Sequence, residues 1–134
     1  MKHAGALAGK GVVVTRPYTQ AAVLAKAIER EGGRALLYPA IEIRDIEDAQ
    51  PLYAIIDRLE AFDLAVFVSP NAVRKALDFV RARHATGWPP HLRVAAIGRG
   101  SRHELEQRGF AGVIAPPGRS DSEALLALLE RETL

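Results

Sequence analysis

Short runs of β-favouring apolar residues alternate along this chain with segments whose apolar positions recur every three or four residues. GVVVT (Gly11 to Thr15) reads as a strand, after which Val23, Leu24, Ala27 and Ile28 share one face of a helix. Gly32-Gly33 stops that helix, because glycine takes the left-handed conformation cheaply. ALLYPAIEI (Ala35 to Ile43) is a second strand, interrupted at Pro39 and so expected at an edge or a bend. Leu52, Ile55, Ile56 and Leu59 form the stripe of a second helix. The clearest strand begins at Leu64, in LAVFVSPNAV: an unbroken apolar run predicts burial on both faces, as in a parallel sheet. Ser69 is placed to cap the next helix and Pro70 to occupy its first position, with Val73, Ala76, Leu77 and Val80 facing inward. HATGWPPH (His84 to His91) is loop-rich, and RVAAIG (Arg93 to Gly98) is the fourth strand. Its helix shows Ser101 and Glu104 at capping-box spacing and ends at Gly109. GVIA (Gly112 to Ala115) is the fifth strand; Ser120 and Glu123 repeat the capping box before Leu125, Leu128 and Leu129.

Strand and helix alternating five times predict right-handed βαβ units and an α/β fold. The natural arrangement is one doubly wound parallel five-stranded sheet in the flavodoxin-like order 2-1-3-4-5, with residues 1–134 as a single domain. Strands in such a sheet carry their ligands at the carboxyl edge, where helix N-termini also point.

Composition narrows the function classes. A chain of 134 residues with 49% hydrophobic and 25% charged side chains can bury one core unaided, as a soluble globular domain does. The absence of cysteine removes disulfides and thiolate metal sites and suits a cytoplasmic protein. No apolar run approaches the roughly 20 residues that cross a bilayer, and MKHAGALAGK lacks the apolar centre of a signal peptide. A net charge of +2, with basic and acidic residues interspersed along helices, argues against a nucleic-acid partner.

Four segments are expected at the carboxyl edge: Thr15 to Gln20, Ser69 to Asn71, Gly98 to Ser101, and Pro116 to Ser122. They offer the hydroxyls of Thr15, Thr19, Ser69, Ser101 and Ser120 and the guanidiniums of Arg16, Arg99, Arg102 and Arg119. Together with helix N–H groups, these suit the binding of carboxylates or phosphates. Taken singly, each hydroxyl is equally a helix cap and each arginine a solvated surface group. Sharper chemistries do not fit. A receiver domain needs acids where Thr15-Arg16 and Ser69 stand, and RPYTQ lacks the glycine of a flavin-phosphate loop. Gly98-Arg99-Gly100 opens like a dinucleotide fingerprint, but His103 occupies the third glycine position. The histidines show no metal-ligand spacing, and no serine lies in a GxSxG elbow. The residues alone therefore describe an anion-binding edge without obvious acid–base machinery.

In order, VVVTRPYTQAAVLAKAIEREGG, LLYPAIEI, VFVSPNAV, VAAIGRGSRHELEQRGF and VIAPPGRSDSEALLALL resemble the uroporphyrinogen-III synthase family over nearly the whole chain. The resemblance implies cyclisation of the linear tetrapyrrole hydroxymethylbilane to uroporphyrinogen III, with the last pyrrole ring inverted and no cofactor or metal. Loss of the terminal hydroxyl as water gives an azafulvene, and a spiro intermediate accounts for the inversion. The many carboxylates of that substrate agree with an edge of N–H groups, hydroxyls and arginines. Carried over by position, Thr15, Arg16, Pro17, Ser69, Pro70, Asn71, Gly98 and Ser101 line the substrate cleft, with no single side chain assigned as catalyst.

Family members are about double this length and two-lobed, with a further Ser-Pro turn and a tyrosine in their second half that have no counterpart up to Leu134. Two arrangements are then open. The five strands close as one domain, or two chains form a homodimer by exchanging the first strand-helix-strand, with Ile41 to Asp48 as crossover. Beside the enzyme stands another class of function: a non-catalytic module of the same fold that binds a tetrapyrrole or another anion.

Overall fold

The computed structural model describes residues 5–132, a mixed α/β chain with short parallel strands. Those residues fall into two compact units, one ending at Glu47 and the other beginning at Asp48. Among them no helix is long and apolar enough to cross a membrane.

In the first unit β1 (Gly11–Val14) and β2 (Arg34–Leu37) pair in parallel, with α1 (Tyr18–Arg30) as the crossover. Val14, Ala21 and Ile28 form its core, backed by Leu7, Val12 and Ala35. The glycine pair ends α1 as expected. Gly32 has φ +78°, and the amides of Gly32 and Gly33 donate to the carbonyls of Glu29 and Ile28 at 2.9 and 3.0 Å. That is a Schellman ending. A Cβ on Gly33 would come within 2.8 Å of Ile28 Cγ2, so the second glycine is needed for close packing. β2 is shorter than the expected Ala35 to Ile43. Tyr38 and Ala40 still donate to Val14 and Thr15 carbonyls, at 2.9 and 3.1 Å, but Pro39 has no N–H and the strand stops at Leu37.

In the second unit β3 (Leu64–Phe67) and β4 (Arg93–Ala96) pair in parallel, linked by α3 (Pro70–Arg83). α2 (Gln50–Ile56), a 3-10 turn at Leu59–Ala61 and α4 (Arg99–Gln107) pack on the same face as α3. Phe67, Val73, Leu77, Val94, Ala96 and Leu105 are the centre of that core. α5 (Ser122–Leu129) covers the other face through Leu125, against Ala95 and Ile114. β4 is thus buried from both sides, with Val94, Ala95 and Ala96 at 6%, 0% and 0% exposure. β3 is not. Phe67 is buried, but Val66 and Val68 are 47% and 66% exposed, so the expected two-sided burial belongs to the fourth strand rather than the third.

Every local pairing expected of βαβ units forms, and each is parallel. Within the units, β1 pairs with β2 and β3 with β4, the neighbours that the order 2-1-3-4-5 gives each of these pairs. The fifth strand is reduced to a bridge between Ala95 and Ile114, where Ile114 donates to Val94 at 2.9 Å and accepts from Ala96 at 2.8 Å. Gly112 enters it at φ +67°, and Pro116-Pro117 follow without donors to extend a ladder.

Candidate functional site

At the carboxyl end of β3 the chain leaves the sheet through Ser69, which is extended (φ −153°, ψ 154°), and enters α3 at Pro70. Ser69 Oγ accepts from the Ala72 amide at 3.0 Å, the N-cap expected of it. Accepting leaves its proton available to donate. Beside it, Gly98 ends the β4 segment and caps α4 with no side-chain bond. The first N–H groups of α4 therefore have no side-chain acceptor and carry the positive end of the helix dipole. The two N-termini lie against each other: a Cβ on Gly100 would sit 3.1 Å from Pro70 Cγ, whereas one on Gly98 would meet nothing within 4 Å. Ser69, Pro70, Asn71 and Gly98 are thus brought together within one unit.

Ser101 departs from the expectation. It lies inside α4, 1% exposed, and Gly98 is the cap instead. Glu104, its expected capping partner, faces α3, accepting from Arg74 Nη1 at 2.7 Å and from Arg108 Nε at 3.2 Å. Ser120 is likewise not a cap. Asp121 caps α5, accepting from the Ala124 amide at 2.9 Å, and that bond, opposed by burial and aided by Arg119, holds its carboxyl below the usual range. Sequence reading passed over Arg74 and gave Glu104 only a capping role; the signal for Arg74 was its i+3 spacing from Asn71 on a helix.

Not all the edge arginines are equivalent. Arg102 pairs with Glu106 and Arg119 with Asp121, each at 2.7 Å. Arg16 and Arg99 are exposed and make no ion pair among the described residues.

The first unit presents its own edge. Thr15 and Arg16 are exposed after β1, and Pro17 caps α1 without a side-chain bond. Its carbonyl accepts from Gln20 and Ala21 at 2.8 and 3.0 Å, closing the first turn and leaving the Tyr18 and Thr19 amides outside it. A groove of about 450 Å³ lies between Pro17, Tyr18 and Thr19 and the segment 39–43 that follows β2. A second cavity, of about 430 Å³, belongs to the other unit and lies at the far end of α3 from Ser69, between Leu77, Trp88 and Phe110. It contains none of the edge residues. Among the described residues no group of three His, Asp or Glu side chains converges on a point.

A family model described as "Uroporphyrinogen-III synthase HemD" matches residues 22–133. The chain is 31% identical over 126 residues to the uroporphyrinogen-III synthase of Chlorobaculum parvum, a match covering 88% of this chain and 46% of that protein. It is 33% identical over 70 residues to a Methanothermobacter thermautotrophicus protein provisionally named for the same synthase, covering 52% of this chain and 27% of the other. The chain thus spans less than half the length of these relatives. The family model takes in the second unit and most of α1, and the chain belongs to the uroporphyrinogen-III synthase family.

Proposed function

We propose that this chain supplies substrate-binding edges for the cyclisation of hydroxymethylbilane to uroporphyrinogen III, a cytoplasmic step of tetrapyrrole synthesis. The observation that carries the reading is the close approach of the α3 and α4 N-termini at Pro70 and Gly100, in a chain of this family. Substrate and product differ by one water: the terminal hydroxyl leaves, and a carbon–carbon bond closes the ring as the last pyrrole inverts. The step is redox-neutral and needs no electron carrier. In this proposal the Ser69 hydroxyl, Asn71, the α4 amides beside Gly98 and the Arg99 guanidinium take substrate carboxylates, with Pro70 and the buried Ser101 shaping the edge beneath them. Thr15, Arg16 and the α1 amides beside Pro17 do the same on the first unit. Fixing the curl of a long flexible chain brings its two ends together, which is a large part of the barrier to ring closure.

An assay generating hydroxymethylbilane in situ tests this. Type III product above the spontaneous type I background is expected. Ser69→Ala should lower stability by about 1 kcal/mol through the lost cap and weaken binding of the stable octacarboxylate uroporphyrin III by about tenfold. A second reading is a non-catalytic module of the same fold that binds a tetrapyrrole or another anion. Type I product alone, with uroporphyrin still bound, would select it; loss of binding as well would remove both.

We further propose that the chain self-associates by exchanging its first strand-helix-strand. Val13 and Leu36 are side by side in the β1–β2 register yet 59% and 43% exposed, an uncovered apolar pair of the kind a partner buries. The boundary between the units, at Glu47 and Asp48, falls at the end of the crossover from Ile41 to Asp48 that exchange requires. Sedimentation should find a dimer at tens of micromolar; a monomer at millimolar concentration would refute it.

A further inference from the structure

Asn71 does not stand alone at the edge of the second unit. Arg74 Nη2 donates to its Oδ1 at 2.9 Å, while Nη1 of the same guanidinium donates to Glu104 Oε2 at 2.7 Å, across from α3 to α4. Glu104 is held in turn, its other oxygen accepting from Arg108 Nε at 3.2 Å, and Arg108 Nη1 reaches Asp78 at 2.9 Å. The Asp78 bond above all, opposed by burial and assisted by Glu104, raises the Arg108 pKa above its ordinary range, so this end of the chain of contacts stays charged. Arg74 and Glu104 side chains are 39% and 22% exposed, and each holds two partners at once.

A guanidinium has donors and no acceptor, so the amide atom beside it must be oxygen. The orientation of the Asn71 carboxamide is thereby fixed: oxygen toward Arg74, nitrogen away from it. The nitrogen carries two protons and can keep a contact within the protein while giving one to a ligand. A cation on the oxygen also polarises the amide and strengthens the bond its nitrogen donates.

We propose that Arg74, clamped by Glu104, is a positioning residue that sets Asn71 to donate an N–H to a carboxylate of the tetrapyrrole. The inference rests on the function proposed above and adds the orienting machinery. Lysine cannot replace Arg74, because one ammonium lacks the planar fork that serves Asn71 and Glu104 at once.

The full chain, uroporphyrin III and fluorescence quenching suffice to test it. Asn71→Asp keeps the side-chain shape and the acceptor for Arg74 but replaces donor by acceptor. It should retain its melting temperature while losing affinity by about tenfold or more, the scale of a hydrogen bond to a charged group. Arg74→Lys should weaken binding several-fold and shift the Asn71 side-chain amide resonances in nitrogen-15 spectra without ligand. Glu104→Gln should move both in the same direction. Wild-type affinity in Asn71→Asp, or unmoved Asn71 resonances in Arg74→Lys, overturns the proposal while leaving the edge as a binding site. Failure of the wild-type chain to bind uroporphyrin removes the underlying reading, and this one with it.

Discussion

A capping side chain at a helix N-terminus is judged by which atom accepts, and at α5 it is the Asp121 carboxylate rather than the Ser120 hydroxyl one position earlier. The Ser-x-x-Glu spacing was present at Ser101 and at Ser120, and neither serine caps: a nearby glycine and a nearby aspartate take the position instead. Only Ser69, set between an apolar strand and Pro70, had its role legible from neighbours alone. The depressed Asp121 pKa makes the cap a pH-dependent device. Between the folded value and the usual 3.8 the unfolded chain binds more protons, so the contribution is complete above about pH 4 and is lost as pH falls through the folded value. Asp121→Asn keeps an accepting oxygen without the titration. Thermal melts from pH 6 to pH 2 should show a flatter acid limb in that variant; parallel limbs would assign the acid loss to other carboxylates.

Element by element, the helices were more legible than the strands, because their ends are written in local chemistry. α4 stops as α1 does: Gly109 has φ +91°, and the amides of Gly109 and Phe110 donate to Glu106 and Leu105 at 3.0 and 3.1 Å. Phe110 then packs back on the cluster that contains Leu105, the contact that completes such an ending. Gly109→Ala forces a Cβ into the left-handed region and should cost about 1–2 kcal/mol, read as a lower denaturant midpoint at unchanged slope. A midpoint equal to wild type would mean that the ending relaxes freely. Strand limits depend on partners that lie elsewhere in the chain. An apolar run shows that Leu64 to Val68 can be buried but not which strand lies at the centre, and β4 holds that place.

On the scale of the whole molecule, pairing beyond one crossover is what the sequence left open. The segment from Tyr38 to Glu47 has neither helix nor strand, and its residues are exposed, Ile41 at 64% and Ile46 at 51%. Arg44 pairs there with its near neighbour Glu42, at 2.6 Å, which does not tie the segment to either unit's core. Brief trypsin treatment should therefore cut first after Arg44, leaving two fragments detected by mass, and amides of β4 should be the slowest to exchange. Early cleavage within α3 or α4 instead would contradict the division into two units. Family membership, by contrast, was legible from ordered motifs, each weak alone, because the turns that carry them are fixed locally by caps, prolines and glycines.

The two prolines after Ile114 have an effect that reaches outside the fold. A strand edge with open amides is a template on which another chain can assemble, and natural proteins blunt such edges. Pro116 and Pro117 remove two consecutive donors where the ladder beside β4 would otherwise continue. What shortens the fifth strand also withholds from that edge two of the donors on which a further strand would build.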